Sequence, residues 1–333
     1  MTSAESRALI QRELDIQPEI LPVVAAALSD SAPALRPVQG RPVWIGGCGD
    51  SLFAAKAIAM HARALGWDLR PATAAEMLWD APIAEGDTVI GVSISGSTRR
   101  TVEALRATSA RGAVTIAVTL NPDSDLARAA DSKLALPYTP VSRAIPHGLD
   151  YHVTVLALAA LLGEVPGAAI GAHAAEATGP ILAQVREIAE QLPTDARFFF
   201  LGGGAARGSA AFGAAKLHEA GGLDAWSFEA ENFAHGGLFV PRSGDHVVLC
   251  GASGPVDART LALEPDLKRL GLTVSRAGLA EGLTPLVAAF DAALHAQCLC
   301  LAVAERLDLD VTDPARGSSA ADVQRAMFGW QAG

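Results

Sequence analysis

The sequence is poor in cysteine, aromatic residues and positive charge, and each shortage excludes something. Its 333 residues include four cysteines and two tyrosines, and aromatic residues make up 5%. Cys48, Cys250, Cys298 and Cys300 fall into no paired metal-ligand spacing and no disulfide framework. They are expected as buried, small apolar residues in a reducing compartment. Against 36 acidic residues stand 26 Lys and Arg, a formal charge of −10. That balance argues against nucleic acid or an anionic membrane as the main partner, since both require a basic face. It leaves room for a local pocket that receives a small anion. The opening MTSAESRALIQREL is polar and helix-forming, with no basic-then-apolar leader pattern, which points to a cytoplasmic protein. Long apolar runs are also scarce. Residues 153–162 are too few to span a bilayer, and Asp291, His295 and Gln297 interrupt 287–304, so both are expected as core helices.

Half of the chain is apolar, enough for a large core. Strand-like runs at 43–46, 88–92, 114–118, 198–201, 247–250 and 272–275 alternate with alanine-rich helical patterns. This is the pattern of an α/β protein with parallel sheets covered by helices. VWIGGCGDS at 43–51 resembles FFFLGGGAARGS at 198–209, and VIGVSISGS at 89–97 resembles VVLCGASGP at 247–255. The two pairs occur in the same order at an offset of roughly 155 residues, as a duplicated unit would give. Any two α/β domains share strand–glycine–helix junctions, but the common order and offset favour duplication. The expected organisation is a leading helical segment at 1–30, a first domain at 31–165, a second at 180–310 and an irregular, polar tail at 311–333. A linker near 163–167 and a helix from about 180 to 191 would join the domains.

Residues 89–101, VIGVSISGSTRRT, pass from a buried-type strand into Ser93, Ser95, Ser97 and Thr98 around Gly96, where a helical pattern begins. The second copy keeps Ser253 but has Gly251, Pro255 and Val256, and so loses both a hydroxyl and a backbone donor. A structural role would be needed in both copies. A helix N-terminus offers unpaired N–H groups and partial positive charge, and hydroxyls add neutral donors, so a phosphate suits the loop best. Helix capping accounts for one or two of the hydroxyls but not for four. No Gly-Lys-Ser/Thr follows the glycines, which rules out a Walker loop. GGCGDSLFAA lacks the third glycine and the downstream acidic strand end of a dinucleotide site.

GCGDS at 47–51 and SISGSTRRT at 93–101 resemble the glycine-rich turn and phosphate loop of the sugar isomerase (SIS) domain. The whole chain resembles the isomerase half of glucosamine-6-phosphate synthase and its stand-alone phosphosugar isomerase, deaminase and deglycase relatives. REL..QP at 12–18 fits the leading helix, FFFLGGG opens a second such domain, and KLHE at 216–219 with His235-Gly236 fits the catalytic segment. The resemblance implies two flavodoxin-like α/β domains and a sugar-phosphate substrate. It implies Ser93, Ser95 and Thr98 as phosphate ligands, with Ser97 beside them, and Cys48, Gly49, Asp50 and Ser51 lining the sugar site. Asp50 replaces a threonine. A carboxylate beside phosphate is unfavourable, so it is expected to face a sugar hydroxyl, an amino group or a backbone donor.

Shifting a carbonyl between C1 and C2 requires a base that moves a proton between two carbons, and a group that opens the ring. Lys216 and Glu219 share one helix face, where the ammonium orients the carboxylate and burial raises its basicity. Such spacing more often gives an ordinary surface pair. The resemblance implies Glu219 as the general base and His235 as the ring-opening residue, supplied by the neighbouring subunit of a homodimer. An isolated His235 would read as a loop residue at a turn. The synthase's imine-forming lysine has no counterpart: Ser319 falls at its place, and no lysine follows Lys268. The segment SRAIPHGLDYH lacks a second family lysine and carries His147, Asp150 and His152, read as loop polarity without a metal. These features favour a phosphosugar isomerase or an amino-sugar-phosphate deaminase that needs no metal or organic cofactor. The alternative is a non-catalytic sugar-phosphate sensor.

Overall fold

The computed structural model describes residues 1–163, 165–315 and 317–330. The first sheet comprises β1 (Val43–Gly47), β2 (Leu69–Thr73), β3 (Thr88–Val92), β4 (Val114–Thr119) and β5 (Ser132–Ala135). All its pairings are parallel, in the order β2-β1-β3-β4-β5. The second comprises β6 (Phe198–Gly202), β7 (Ala225–Phe228), β8 (His246–Cys250) and β9 (Thr273–Ala277), parallel in the order β7-β6-β8-β9. Helices cover both sheets, as parallel strands buried on two faces require. Each sheet reverses its strand order beside its first strand, between β1 and β3 and between β6 and β8. Ligand crevices form at the carboxyl ends of strands at such positions.

One apolar cluster runs through both sheets, joining Ile45 and Ile90 to Phe200 and Val248 through Leu156 and Leu299. The helix Pro285–Arg306 is long and apolar enough to cross a membrane, but 89% of its most apolar window is buried in this cluster. Its polar residues find internal partners. Asp291 accepts from the Gly278 N–H, His295 meets Ser275, and Gln297 meets Gln17 and Glu13. The expectation of a core helix therefore holds. The helix Leu149–Leu162 is buried along its whole length.

The leading helix, Ser3–Ser31, starts with a capping box between Thr2 and Glu5. Its Glu13 is fully buried and accepts from the N–H groups of Gly148 (3.0 Å) and Leu149 (3.1 Å). That satisfies two orphan donors at the start of Leu149–Leu162, and so anchors the segment containing His147 and Asp150. Burial pushes the Glu13 carboxyl up to about 7, against the pull of the two N–H bonds.

Several expectations need correction. The second long helix runs Gly167–Gln191 with Pro180 inside it, rather than starting at residue 180. Of the linker residues, Glu164 lies outside the described residues. The tail is irregular only as far as Ser319 and then forms the exposed helix Ala320–Phe328; Arg316 and residues 331–333 lie outside the description. Cys250, Cys298 and Cys300 are buried as expected, whereas Cys48 is exposed, at the turn after β1.

Candidate functional site

A cavity of about 400 Å³ opens at the carboxyl ends of β1 and β3. The turn after β1 supplies Cys48, Gly49, Asp50 and Ser51, and the loop after β3 supplies Ser93, Ser95 and Thr98. Gly49 has φ +56° and caps the helix Asp50–Ala57, a conformation that side chains with a Cβ rarely adopt. Gly96 has φ +67°, and a Cβ there would come within 2.2 Å of the Ser124 side chain. Glycine is therefore required where the loop folds back on itself.

The hydroxyls are not spent on capping. Thr98 is the N-cap of the helix Arg99–Ser109, yet its side chain makes no capping bond. It lies 2.9 Å from Ser93 Oγ instead. Ser95 Oγ lies 2.9 Å from Ser97 Oγ, and Ser93 Oγ accepts from the Gly96 N–H at 3.1 Å. The helix end keeps its own N–H donors for an anion. Ser97 is exposed and stands beside the cavity rather than in its wall. The corresponding loop after β8 is built differently. Ser253 Oγ donates to Leu283 O, and the Asp257 carboxylate takes the N–H groups of Ala252 and Gly254 at 3.2–3.3 Å. An internal anion thus occupies the second loop, and the asymmetry read from the sequence has this physical form.

Lys216 sits on the helix Ala206–Gly221 with its side chain 1% exposed. Its Nζ donates to Asp50 Oδ2 at 2.7 Å and to Glu219 Oε2 at 2.6 Å. Burial opposes the ammonium, but the charges of Asp50 and Glu219 more than offset it and raise its pKa. Asp50 therefore faces an amino group, that of Lys216. The contact joins the first unit to the second across 166 residues of sequence. Glu219 lines the cavity with its side chain 43% exposed. Burial pushes its carboxyl up, Lys216 pulls it down and Asp50 adds to the rise; the balance lies above the ordinary value. Lys216–Glu219 is thus not an ordinary surface pair.

His235 stands outside this cavity. Its side chain is 75% exposed and lies 3.7 Å from Glu231, while Glu229 caps the short helix Ala230–Ala234. The structure instead brings His147, Asp150, Arg143 and Tyr151 into the cavity wall. Tyr138 donates to Asp150 Oδ1 at 2.5 Å, and His147 Nδ1 lies 3.5 Å from Asp150 Oδ2. Burial lowers the His147 pKa, Asp150 opposing, so the ring is neutral near pH 7. The sequence alone reads these two as loop polarity. Their spacing of three at a helix start was the signal available. His152 belongs to the core, stacked on Phe290 at 4.6 Å, with burial lowering its pKa to about 3. Among the described residues no cluster of His, Cys, Asp and Glu is arranged to hold a metal ion.

Comparison with known proteins bears on the family and the fold. Residues 39–162 match the SIS domain family. A 55-residue stretch is 49% identical to the N-acetylmuramic acid 6-phosphate etherase of Symbiobacterium thermophilum, covering 16% of this chain and 18% of that protein. Glucosamine-6-phosphate deaminase from Thermotoga maritima superposes with a TM-score of 0.71 at 19% identity, covering 93% of this chain and 95% of its own. The C-terminal domain of glucosamine-fructose-6-phosphate aminotransferase from Francisella tularensis gives 0.73 at 18% identity, covering 91% and 97%. Tagatose-6-phosphate ketose/aldose isomerase from Escherichia coli gives 0.73 at 17% identity, covering 92% and 95%. The chain carries a SIS domain at residues 39–162 and has, over nearly its whole length, the two-sheet fold of these sugar-phosphate proteins.

Proposed function

We propose that the protein is an enzyme acting on an (amino)hexose 6-phosphate, by an aldose–ketose proton shift with Glu219 as the general base. The observation that carries this reading is the buried Lys216 ammonium, shared between Asp50 and Glu219 in one cavity with the hydroxyl loop. Binding a phosphate does not require a carboxylate that faces the ligand and is paired with a buried ammonium; moving a proton requires such a positioned base. Ser93, Ser95 and Thr98 with the helix N-terminus hold the phosphate, and Cys48, Gly49 and Ser51 face the sugar.

The Glu219 carboxylate takes the proton from C2 of the open-chain aldose and returns it to C1. One hydroxyl proton passes from O2 to O1, so the sugar is isomerised with no net oxidation. With an amino group at C2, the same shift yields a C2 imine, and its hydrolysis releases ammonia. Neither route needs a metal or an organic cofactor. Lys216 keeps the carboxylate charged and oriented.

The ring-opening proton has two candidate carriers. His235 reaches a cavity only if a second subunit supplies it. Trp226, Phe239 and Val240, exposed by 36%, 87% and 43% on the same segment, support a homodimer with a shared site. His147, held near Asp150 within the cavity, is the carrier if the site is complete in one chain. The free, buried Cys250, Cys298 and Cys300 support work in a reducing, cytoplasmic compartment.

The test is a thermal-shift panel of hexose and amino-hexose 6-phosphates, with the unphosphorylated sugars as controls, followed by turnover assays on those that bind. Mixed dimers of Glu219→Gln and His235→Ala chains should regain activity if the site is shared. Absence of complementation between two well-folded dimers moves the ring-opening role to His147. Tight binding without turnover of any sugar phosphate makes the protein a sensor instead.

A further inference from the structure

A second cavity, of about 270 Å³, lies where the helices that follow β1 meet the carboxyl ends of β6 and β8. It occupies the strand-order reversal of the second sheet, the position equivalent to that of the first site. Gly203 and Gly204 from the turn after β6 form one wall, and Gly254 and Pro255 from the loop after β8 form another.

Three cations converge on it: Lys56, Arg63 and Arg207, carried by three different helices. None of the three makes an ion pair or a side-chain hydrogen bond among the described residues. In a chain with a net charge of −10, such a cluster is conspicuous. Burial, and then the neighbouring charge of Arg207, push the Lys56 ammonium below its usual pKa, Glu76 pulling the other way. An anion placed among them relieves that repulsion. The nearby Asp257 carboxylate lines the same cavity, but it is committed to the N–H groups of Ala252 and Gly254. Asp257 in the cavity wall, Glu76 near Lys56 and Glu229 beside Lys56 and Arg207 face the same cations, but among the described residues none of the three carboxylates lies within ion-pair distance of them.

We propose that this cavity is a second anion site, which takes a small phosphorylated metabolite no larger than a hexose phosphate. Two guanidinium forks and an ammonium match the several oxygens of a phosphate monoester better than a single carboxylate. Because Asp257 fills the donor positions of the loop, the side chains rather than the loop backbone make the contacts. Recognition therefore differs from that at Ser93 and Ser95. The cavity contains neither Lys216 nor Glu219, so its ligand is bound without being turned over.

Equilibrium dialysis of the full chain against radiolabelled inorganic phosphate, at matched ionic strength, tests this. The Ser93→Ala/Ser95→Ala variant should retain a phosphate site that the Lys56→Gln/Arg207→Gln variant lacks. Each charge removed should weaken the second site about tenfold or more. Arg63→Gln, at an exposed position, gives an independent reading with little risk to folding. A Lys56→Gln/Arg207→Gln protein that keeps its melting temperature and its phosphate stoichiometry overturns the proposal. So does citrate displacing phosphate equally well, or a change in oligomeric state as the sole effect of the charge variants. If Ser93→Ala/Ser95→Ala leaves all binding intact while Lys56→Gln/Arg207→Gln abolishes it, the second site stands and the hydroxyl-loop assignment falls.

Discussion

Replacing Lys216 by methionine removes a buried charge and keeps an unbranched chain of similar length. In the native site this ammonium is the shared counter-ion of Asp50 and Glu219, at 2.7 and 2.6 Å. Without it the two carboxylates face each other with no counter-ion between them, and Glu219 becomes a weaker acid. Loss of an adjacent opposite charge raises a carboxyl pKa by about 1–3 units. The Glu219 side chain is still 43% exposed, and solvent screening puts the expected shift near the lower end, about one unit. The base must be ionised to act, so kcat/KM rises with pH through its pKa. The acid limb of the pH–rate profile should therefore move upward by about one unit in Lys216→Met. The two carboxylates left facing each other also lower stability, less than a fully buried pair would because their side chains are 31% and 43% exposed. An added Asp50→Asn change should restore part of the melting temperature and bring the acid limb back down. An acid limb that stays in place in a folded Lys216→Met protein refutes the argument that this lysine sets the basicity of Glu219.

Two further outcomes follow from the same geometry. Ser93→Ala/Ser95→Ala removes two donors to a charged group, each worth about 1.5–3 kcal/mol; sugar-phosphate affinity measured calorimetrically should fall at least tenfold, and unchanged affinity would place the phosphate elsewhere. Buried His152 and His246 have pKa values lowered to about 3, and His295 to about 4, all by burial. Unfolded histidine titrates near about 6.5, so the unfolded chain binds the extra protons, and stability present above that pH is lost below it, by about 2 kcal/mol per histidine at about pH 5. Glu13, raised to about 7, acts in the opposite sense, because its folded form gains protons as pH falls. Glu13→Gln should therefore show a steeper acid decline in melting temperature than the parent protein, and an equal or shallower decline contradicts the assignment.

The fold is most legible where strands are buried on both faces, although the half-exposed edge strand β9 is also marked by its apolar run at 272–275. β1, β3, β6 and β8 are central strands, buried at every residue, and each announced itself as a continuous apolar run. No apolar run marks β2, β5 or β7 in the sequence, and all three are edge strands. β2, β5 and β7 are half-exposed, and β2 carries Pro71, which a central strand does not tolerate. Their sequences had no need of an apolar run. Pro180 suggested a helix start because proline suits the first turn, yet it lies in mid-helix.

At the site, the hydroxyl loop and the Lys216–Glu219 pair were legible because each is local, set by neighbours within a few residues. The Asp50–Lys216 contact was not, since it exists only once two units pack together. The role of the 142–152 segment was hidden for a similar reason. Its position depends on Glu13, more than a hundred residues earlier, holding the helix start at Gly148 and Leu149.

The central claim is that Glu219 moves a proton between adjacent carbons of a sugar phosphate. Incubating the protein with a bound hexose 6-phosphate in heavy water, and following deuterium at C1 and C2 by NMR, reads that step without reference to the final product. Exchange should be rapid with the native protein and about a hundred- to ten-thousand-fold slower with Glu219→Gln, while binding of the sugar phosphate persists. Undiminished exchange in Glu219→Gln would contradict the account and assign the base to another residue.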